Sequence, residues 1–139
     1  MEDTIKITVQ ATIAAPIEKV WETYTNPAHV VKWNHASEDW HSPKATNDLK
    51  VGGKFNYRME AKDGSAGFDF NGTYTAVKTN ELIEYAIEGG RQVKVTFEPN
   101  GTTTKVIVIF DAENTNSIEL QQNGWQSILN NFKNHTETA

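Results

Sequence analysis

The sequence predicts an α+β fold in which a curved antiparallel sheet wraps around a long C-terminal helix. Three observations lead there. Segments scattered between residues 4 and 111 alternate apolar and polar side chains, so each is a strand with one buried face. The last segment, from Asn116, carries apolar residues at three- and four-residue steps, the stripe of a helix that must cover something. Two short stretches of helical spacing separate the first strand from the others. A sheet with a single apolar face packs that face against a helix.

Taken in order, residues 4–13 (TIKITVQATI) put Ile5, Ile7, Val9, Ala11 and Ile13 on one face and Thr4, Lys6, Thr8, Gln10 and Thr12 on the other. A helix begins at about Pro16, a residue suited to the first helical position, and Ile17, Val20, Trp21 and Tyr24 form its stripe. Asn26-Pro27 ends it and caps a second short helix that finishes near Trp33. Residues 34–53 keep no sustained period, so they are expected to be mostly loop with one short strand near Trp40. Gly52 and Gly53 are assigned to a turn or bulge needing unusual backbone angles.

Alternation returns at Lys54, where Phe55, Tyr57 and Met59 oppose Lys54, Asn56, Arg58 and Glu60. DGSAG is a turn signal. Further strands are expected at about 67–78, 81–88, 91–98 and 102–111, broken by KTN, EGG and PNG. Through GFDFNGTY and the two residues after it, Phe68, Phe70, Gly72, Tyr74 and Ala76 share the inner face, and Asp69, Asn71, Thr73 and Thr75 the outer. Turning Asp69 inward would slip the strand and expose both phenylalanines, at a cost on the order of 3–6 kcal/mol. Asp69 is therefore expected to be a solvent-facing residue with Arg58 or another basic residue as a cross-strand partner. In the final helix Ile118, Trp125, Ile128, Leu129 and Phe132 form the stripe to about Asn134. Asn116 and Glu119 have the spacing of a capping box, and the tail HTETA is expected to fray.

The 139 residues suit a single domain, 1–139, and the absence of cysteine excludes disulfides, thiolate nucleophiles and zinc-thiolate sites. MEDTIKITVQ lacks the pattern of a signal peptide, and no apolar run approaches the ~20 residues that span a bilayer. A soluble, cytoplasmic protein without membrane insertion is expected. The net charge is −5 and no basic cluster occurs, so nucleic acid is not an expected partner. Four tryptophans, four tyrosines and six phenylalanines could fill a core or line a cavity.

Catalytic motifs are missing. No serine lies in a G-x-S-x-G context, and VGGK does not satisfy the phosphate-loop pattern. His29, His35, His41 and His135 form no metal-binding spacing, and the group His35, Glu38, Asp39 and His41 reads as a polar loop at a cavity mouth. No metal or cofactor is expected. The aromatic set is the stronger lead. The strand registers turn Phe55, Tyr57, Met59, Phe68, Phe70 and Tyr74 inward, with Tyr85, Val95 and Phe97. Trp125, Leu129 and Phe132 face them from the helix, and Trp33 and Trp40 lie near the opening. Arg91 shares parity with Val93 and Val95, so its guanidinium is a candidate partner for a ligand carboxylate at the rim, or turns to solvent as a strand-end residue.

The succession APIEKVWETYTNPAHVVKW, DLKVGGKFNYRM, DGSAGFDFNGTYTAV, VTFEP and GWQSILNNF resembles the activator of 90-kDa heat-shock-protein ATPase homologue-like family. That family belongs to the SRPBCC superfamily of START and birch-pollen-allergen-like domains. The resemblance spans about residues 7–132. It implies the helix-grip fold, often with a cavity between sheet and helix. The leading functional expectation is non-enzymatic binding of a small hydrophobic or amphipathic ligand in that cavity, oriented by Tyr57, Tyr85 and Arg91. A co-chaperone-like module that binds a heat-shock chaperone and a cyclase or hydrolase on the same fold are the alternatives. The protein is expected to be a monomer or homodimer.

Overall fold

Alternation and stripe become one layered arrangement in the computed structural model, which describes residues 5–35, 37–87, 90–113 and 116–138. The elements in chain order are β1 (Lys6–Ile13), α1 (Ile17–Thr25), α2 (Pro27–Trp33), β2 (Trp40–Asn47), β3 (Lys54–Ala61), β4 (Gly67–Lys78), β5 (Leu82–Ile87), β6 (Gln92–Asn100), β7 (Thr103–Asp111) and α3 (Ile118–Thr138). Among the described residues the strands form one antiparallel sheet in the order β1-β7-β6-β5-β4-β3-β2. The sheet curls around α3, and α1 and α2 bridge its two edge strands. This is the helix-grip fold.

The inner registers meet as alternation requires. Ile7, Val9 and Ile13 of β1 are buried, as are Val93, Val95 and Phe97 of β6 and Val106, Val108 and Phe110 of β7. Helix α3 lays Trp125 flat on Phe110, with ring centres 4.0 Å apart. Further along, Phe132 packs edge-on against Tyr24 and Trp33. Asn26 caps α2 through its side-chain oxygen, which accepts from the Ala28 N–H at 2.9 Å. Trp33 is fixed by its indole N–H, which donates to the Thr23 carbonyl.

The edge of β1 is covered rather than left open. Gln122 donates to the Thr8 carbonyl at 3.3 Å, and Gln126 donates to the Gln10 carbonyl at 3.1 Å while accepting from the Gln10 N–H. Side chains of α3 thus stand in for a neighbouring strand, which removes a template for association through that edge.

Several expectations are corrected. The stretch expected to be mostly loop contains β2, eight residues long. Its register shifts between His41 and Lys44, so alternation is interrupted, and Pro43 is tolerated because β2 is an edge strand. A second irregularity falls between Tyr74 and Ala76. Beyond it Val77, opposite Ile83, takes the inner face and Ala76 pairs with the outward Glu84. Ile5 precedes β1 and is exposed. Pro16 is the N-cap of α1 rather than its first helical residue.

At α3 the cap is Ser117, whose hydroxyl accepts from the Leu120 N–H at 3.1 Å, while the Asn116 amide turns to Glu113. The N-cap therefore falls one residue later than expected, and with Leu120 at the third helical position no capping box forms. The tail does not fray before Thr138. Thr136 is fully buried and donates back to the Phe132 carbonyl, and Glu137 accepts from the Ala14 N–H at 2.8 Å.

The two glycines have different reasons. Gly52 has φ +85°, a left-handed conformation. At Gly53 the reason is space, because a Cβ there would stand 2.0 Å from the Asp48 carbonyl oxygen. Together they clamp β4 at its irregularity. The Gly52 N–H donates to the Tyr74 carbonyl, and the Tyr74 N–H donates to the Gly53 carbonyl.

Helices α2 and α3 meet through His29 and His135, whose ring nitrogens lie 3.1 Å apart. Burial lowers the pKa of His135, and the charges of His29 and Lys32 add to the effect. His35 is lowered by burial, then by Lys62 and His41, against an opposing Glu38. Both folded values lie below the ordinary 6.5. The native state thus binds fewer protons than the unfolded chain, and stability falls as pH drops below about 6.5. Urea midpoints measured down the acidic range should show this decline, and His135→Asn should make it shallower. A midpoint independent of pH in that range would contradict the assignment.

Candidate functional site

Curling the sheet around α3 leaves a cavity of about 190 Å³ between them. Strand β3 contributes Phe55, Tyr57 and Met59 to its wall, and β4 contributes Phe68, Phe70 and Tyr74. Tyr85 of β5, Trp33 of α2, and Trp125 and Leu129 of α3 complete the part expected from the registers. Phe55 is central to this wall, with its ring within 5.0 Å of Tyr57 and 4.8 Å of Tyr85. Gly72 makes that possible, since a Cβ there would meet the Phe55 ring at 2.8 Å.

Phe68 lines the cavity yet is 50% exposed, which marks where the cavity meets solvent. The strand register predicts an inward ring; its position at the start of β4, with the ring of Trp40 6.1 Å away, makes it a rim residue. Trp40 itself stands beside Phe68 without lining the cavity. Val95, Phe97 and Phe132 lie outside the lining and are buried in the core, where Phe97 packs on Trp21 and Tyr24. Arg91 is also outside. It precedes β6, and its charge acts on Asp111, whose carboxyl is lowered. Burial raises that carboxyl, but Lys6, the Gln92 N–H and Arg91 outweigh burial.

The polar part of the cavity is larger than the sequence pattern predicts. Tyr24, Thr25 and Asn34 line it together with Tyr57, Tyr74 and Tyr85. The Asn47 amide donates to the Thr25 carbonyl at 2.6 Å and to the Tyr57 hydroxyl at 3.3 Å. Burial raises the pKa of all four tyrosines, and for Tyr24, Tyr74 and Tyr85 the neighbouring phenols raise it further. The cluster therefore keeps its protons and acts as neutral hydroxyls. Asn34, the C-cap of α2, is only 7% exposed. It lines the cavity, while the buried side-chain atoms without a hydrogen-bond partner among the described residues are the neighbouring His35 Nδ1 and Ser42 Oγ. Tyr24 was legible as part of the α1 stripe. Nothing in the local sequence distinguishes Asn34 from an exposed cap.

The lining, as described, contains no Asp, Glu, His, Lys or Arg. Outside it, Asp69 is solvent-facing and lies 3.6 Å from Arg58. In the loop group Glu38 and His41 act on His35, while Asp39 accepts from Ser37 and His41 lies 3.9 Å from Glu60. Among the described residues no three His, Asp or Glu side chains converge on a metal position. No helix among them is long and apolar enough to cross a membrane.

With this geometry in view, likeness to known proteins is informative. The model of the family described as Activator of Hsp90 ATPase homolog 1-like protein matches residues 14–137. The solution structure of an AHSA1-like protein from Aeromonas hydrophila is 44% identical, with a TM-score of 0.90 over 96% of this chain and 93% of that one. A protein from Cytophaga hutchinsonii is 56% identical, with a TM-score of 0.83 over 96% and 92%. A protein from Nitrosomonas europaea shares the fold at 16% identity, with a TM-score of 0.82 over 96% and 95%. No curated protein matches the sequence. The match to the family model over nearly the whole chain, with the two solved relatives above 40% identity, carries the conclusion that this chain belongs to the Activator of Hsp90 ATPase homolog 1-like family.

Proposed function

We propose that the protein binds a small, mostly apolar aromatic molecule in the cavity between α3 and the sheet, without transforming it. The observation that carries this reading is an aromatic wall without charged groups, in which Asn34 supplies the single side-chain amide. An occupant with one polar group can hydrogen-bond to that amide. Size bounds the ligand. An apolar cavity of roughly 150 Å³ accepts benzene, so this one suits a single substituted ring. The lack of an ionisable group in the lining favours carriage or sensing over acid–base catalysis.

Titration of the protein with p-cresol, followed through amide and indole N–H resonances, tests the reading. Saturable shifts are expected at Trp33 and Trp125, with a dissociation constant on the order of 10 μM to 1 mM. Ile128→Trp, which fills the cavity from α3, should abolish them while the protein stays folded. Absence of saturable shifts with the unaltered protein would sink the proposal.

The family's name supports a second reading, a contact with a chaperone ATPase. Capture of that chaperone by the Ile128→Trp protein as efficiently as by the original would place such a contact outside the cavity.

A further inference from the structure

We propose that the cavity discriminates by charge, taking the neutral form of an ionisable single-ring aromatic and refusing its anion, with the ligand's one polar group held by the Asn34 amide. The inference rests on the reading of the cavity as a ligand site and goes on to name the chemical class admitted.

The groups that face a bound ring come from every element around it. Helix α1 presents Tyr24 and Thr25, and α2 ends in Asn34; β3, β4 and β5 present Tyr57, Tyr74 and Tyr85. These are neutral donors and acceptors. An anion entering this space would lose its hydration without meeting an opposite charge, a penalty that hydrogen bonds from neutral groups only partly offset. Charged groups close by do not supply the missing partner. Asp48, which acts on Tyr74, is itself acidic. His35, next to Asn34, has Lys62, Glu38 and His41 around it. Its pKa is below the ordinary value, so above neutrality it is uncharged. Lys62 is exposed and screened by water. Arg91, the residue best suited to hold a carboxylate, lies outside the lining.

Asn34 supplies a neutral polar anchor within the lining. Its amide offers both a donor and an acceptor. A phenol or alcohol can therefore use it in either direction while the ring stacks among Phe55, Phe70 and Trp125. The tyrosines keep their protons, so any change of affinity between pH 7 and about 9 must come from the ligand.

The test is calorimetric titration of the intact protein with 2,4-dichlorophenol, which ionises a little above neutrality, and with 2,4-dichloroanisole, which cannot ionise. The phenol should bind most tightly below its own pKa and weaken about tenfold per pH unit above it, while the anisole keeps one affinity throughout. Asn34→Leu should weaken the neutral phenol about tenfold and leave the anisole within about threefold. Asn34→Asp, which keeps the shape and adds a charge, should make the phenolate weaker still.

Equal or tighter binding of the phenolate would overturn charge selection while leaving the ligand site intact. An Asn34→Leu protein that binds both compounds as before would remove Asn34 from the proposal. Failure of both compounds to bind at any pH would overturn this inference together with the ligand reading beneath it.

Discussion

Phe132→Ala is expected to cost about 3–5 kcal/mol of stability, the range for a large ring removed from a closed core. Phe132 is fully buried and touches Tyr24 and Trp33, with ring centres 5.1 and 5.0 Å away. Those rings belong to α1 and α2, so one side chain ties three helices together. The surrounding rings are held by other contacts, such as the indole bond from Trp33 to the Thr23 carbonyl, and cannot collapse into the space. A urea titration should show a lower midpoint with little change in slope. A loss below about 1 kcal/mol would mean that the α1–α2 pair is held chiefly by something else.

Gly53→Ala should be nearly as damaging, at about 3 kcal/mol, the upper range for overpacking. The atom in the way is a backbone carbonyl oxygen, Asp48 O, which has no rotamer to escape into. Moving it would also disturb the Asp48 N–H bond to the Lys54 carbonyl and the Gly53 carbonyl bond to the Tyr74 N–H. Gly52→Ala is the internal contrast. Open space surrounds its Cβ position, so only the left-handed backbone is penalised, at about 1–2 kcal/mol. Denaturation midpoints of the two variants, measured side by side, should rank Gly53→Ala below Gly52→Ala. The opposite order would show that backbone conformation outweighs the close approach.

What the amino-acid pattern revealed depended on whether a period was unbroken. β1, β3, β6 and β7 keep theirs, and α3 keeps its stripe, so their existence and inner faces were legible. β2 was not, because the shift between His41 and Lys44 scrambles the alternation of an edge strand. The same cause put Ala76 on the wrong face, since one irregularity after Tyr74 inverts every later position of β4. Arg91 was placed by extending the β6 parity one residue beyond the first ladder position, Gln92. Outside the ladder, parity no longer orients a side chain.

The candidate site divides along similar lines. Rings on regular strands, such as Phe55 and Phe70, could be assigned to the inner surface because their neighbours alternate. That Phe97 and Phe132 fill space while Phe70 and Trp125 border it depends on how sharply the sheet curls, a sum over many contacts that no local window contains. Asn34 has ordinary helix-end chemistry in sequence. Its place in the cavity wall comes from what α2 packs against.

The pairing of β1 also sets an order of assembly. Its ladder partner is β7, with Lys6 opposite Asp111, so the earliest of these strands to leave a ribosome is the last to be enclosed. Until β7 follows it, Ile7, Val9 and Ile13 have no neighbouring strand, and α1 has no finished sheet to lie against. Closure between such distant segments makes folding slower than local helix pairing would. Meanwhile the apolar face of β1 is open to other nascent chains. Gln122 and Gln126, which cover that strand's outer edge, emerge later still. The guard against intermolecular pairing is thus carried by the segment synthesised after all seven strands, and it protects only the finished molecule.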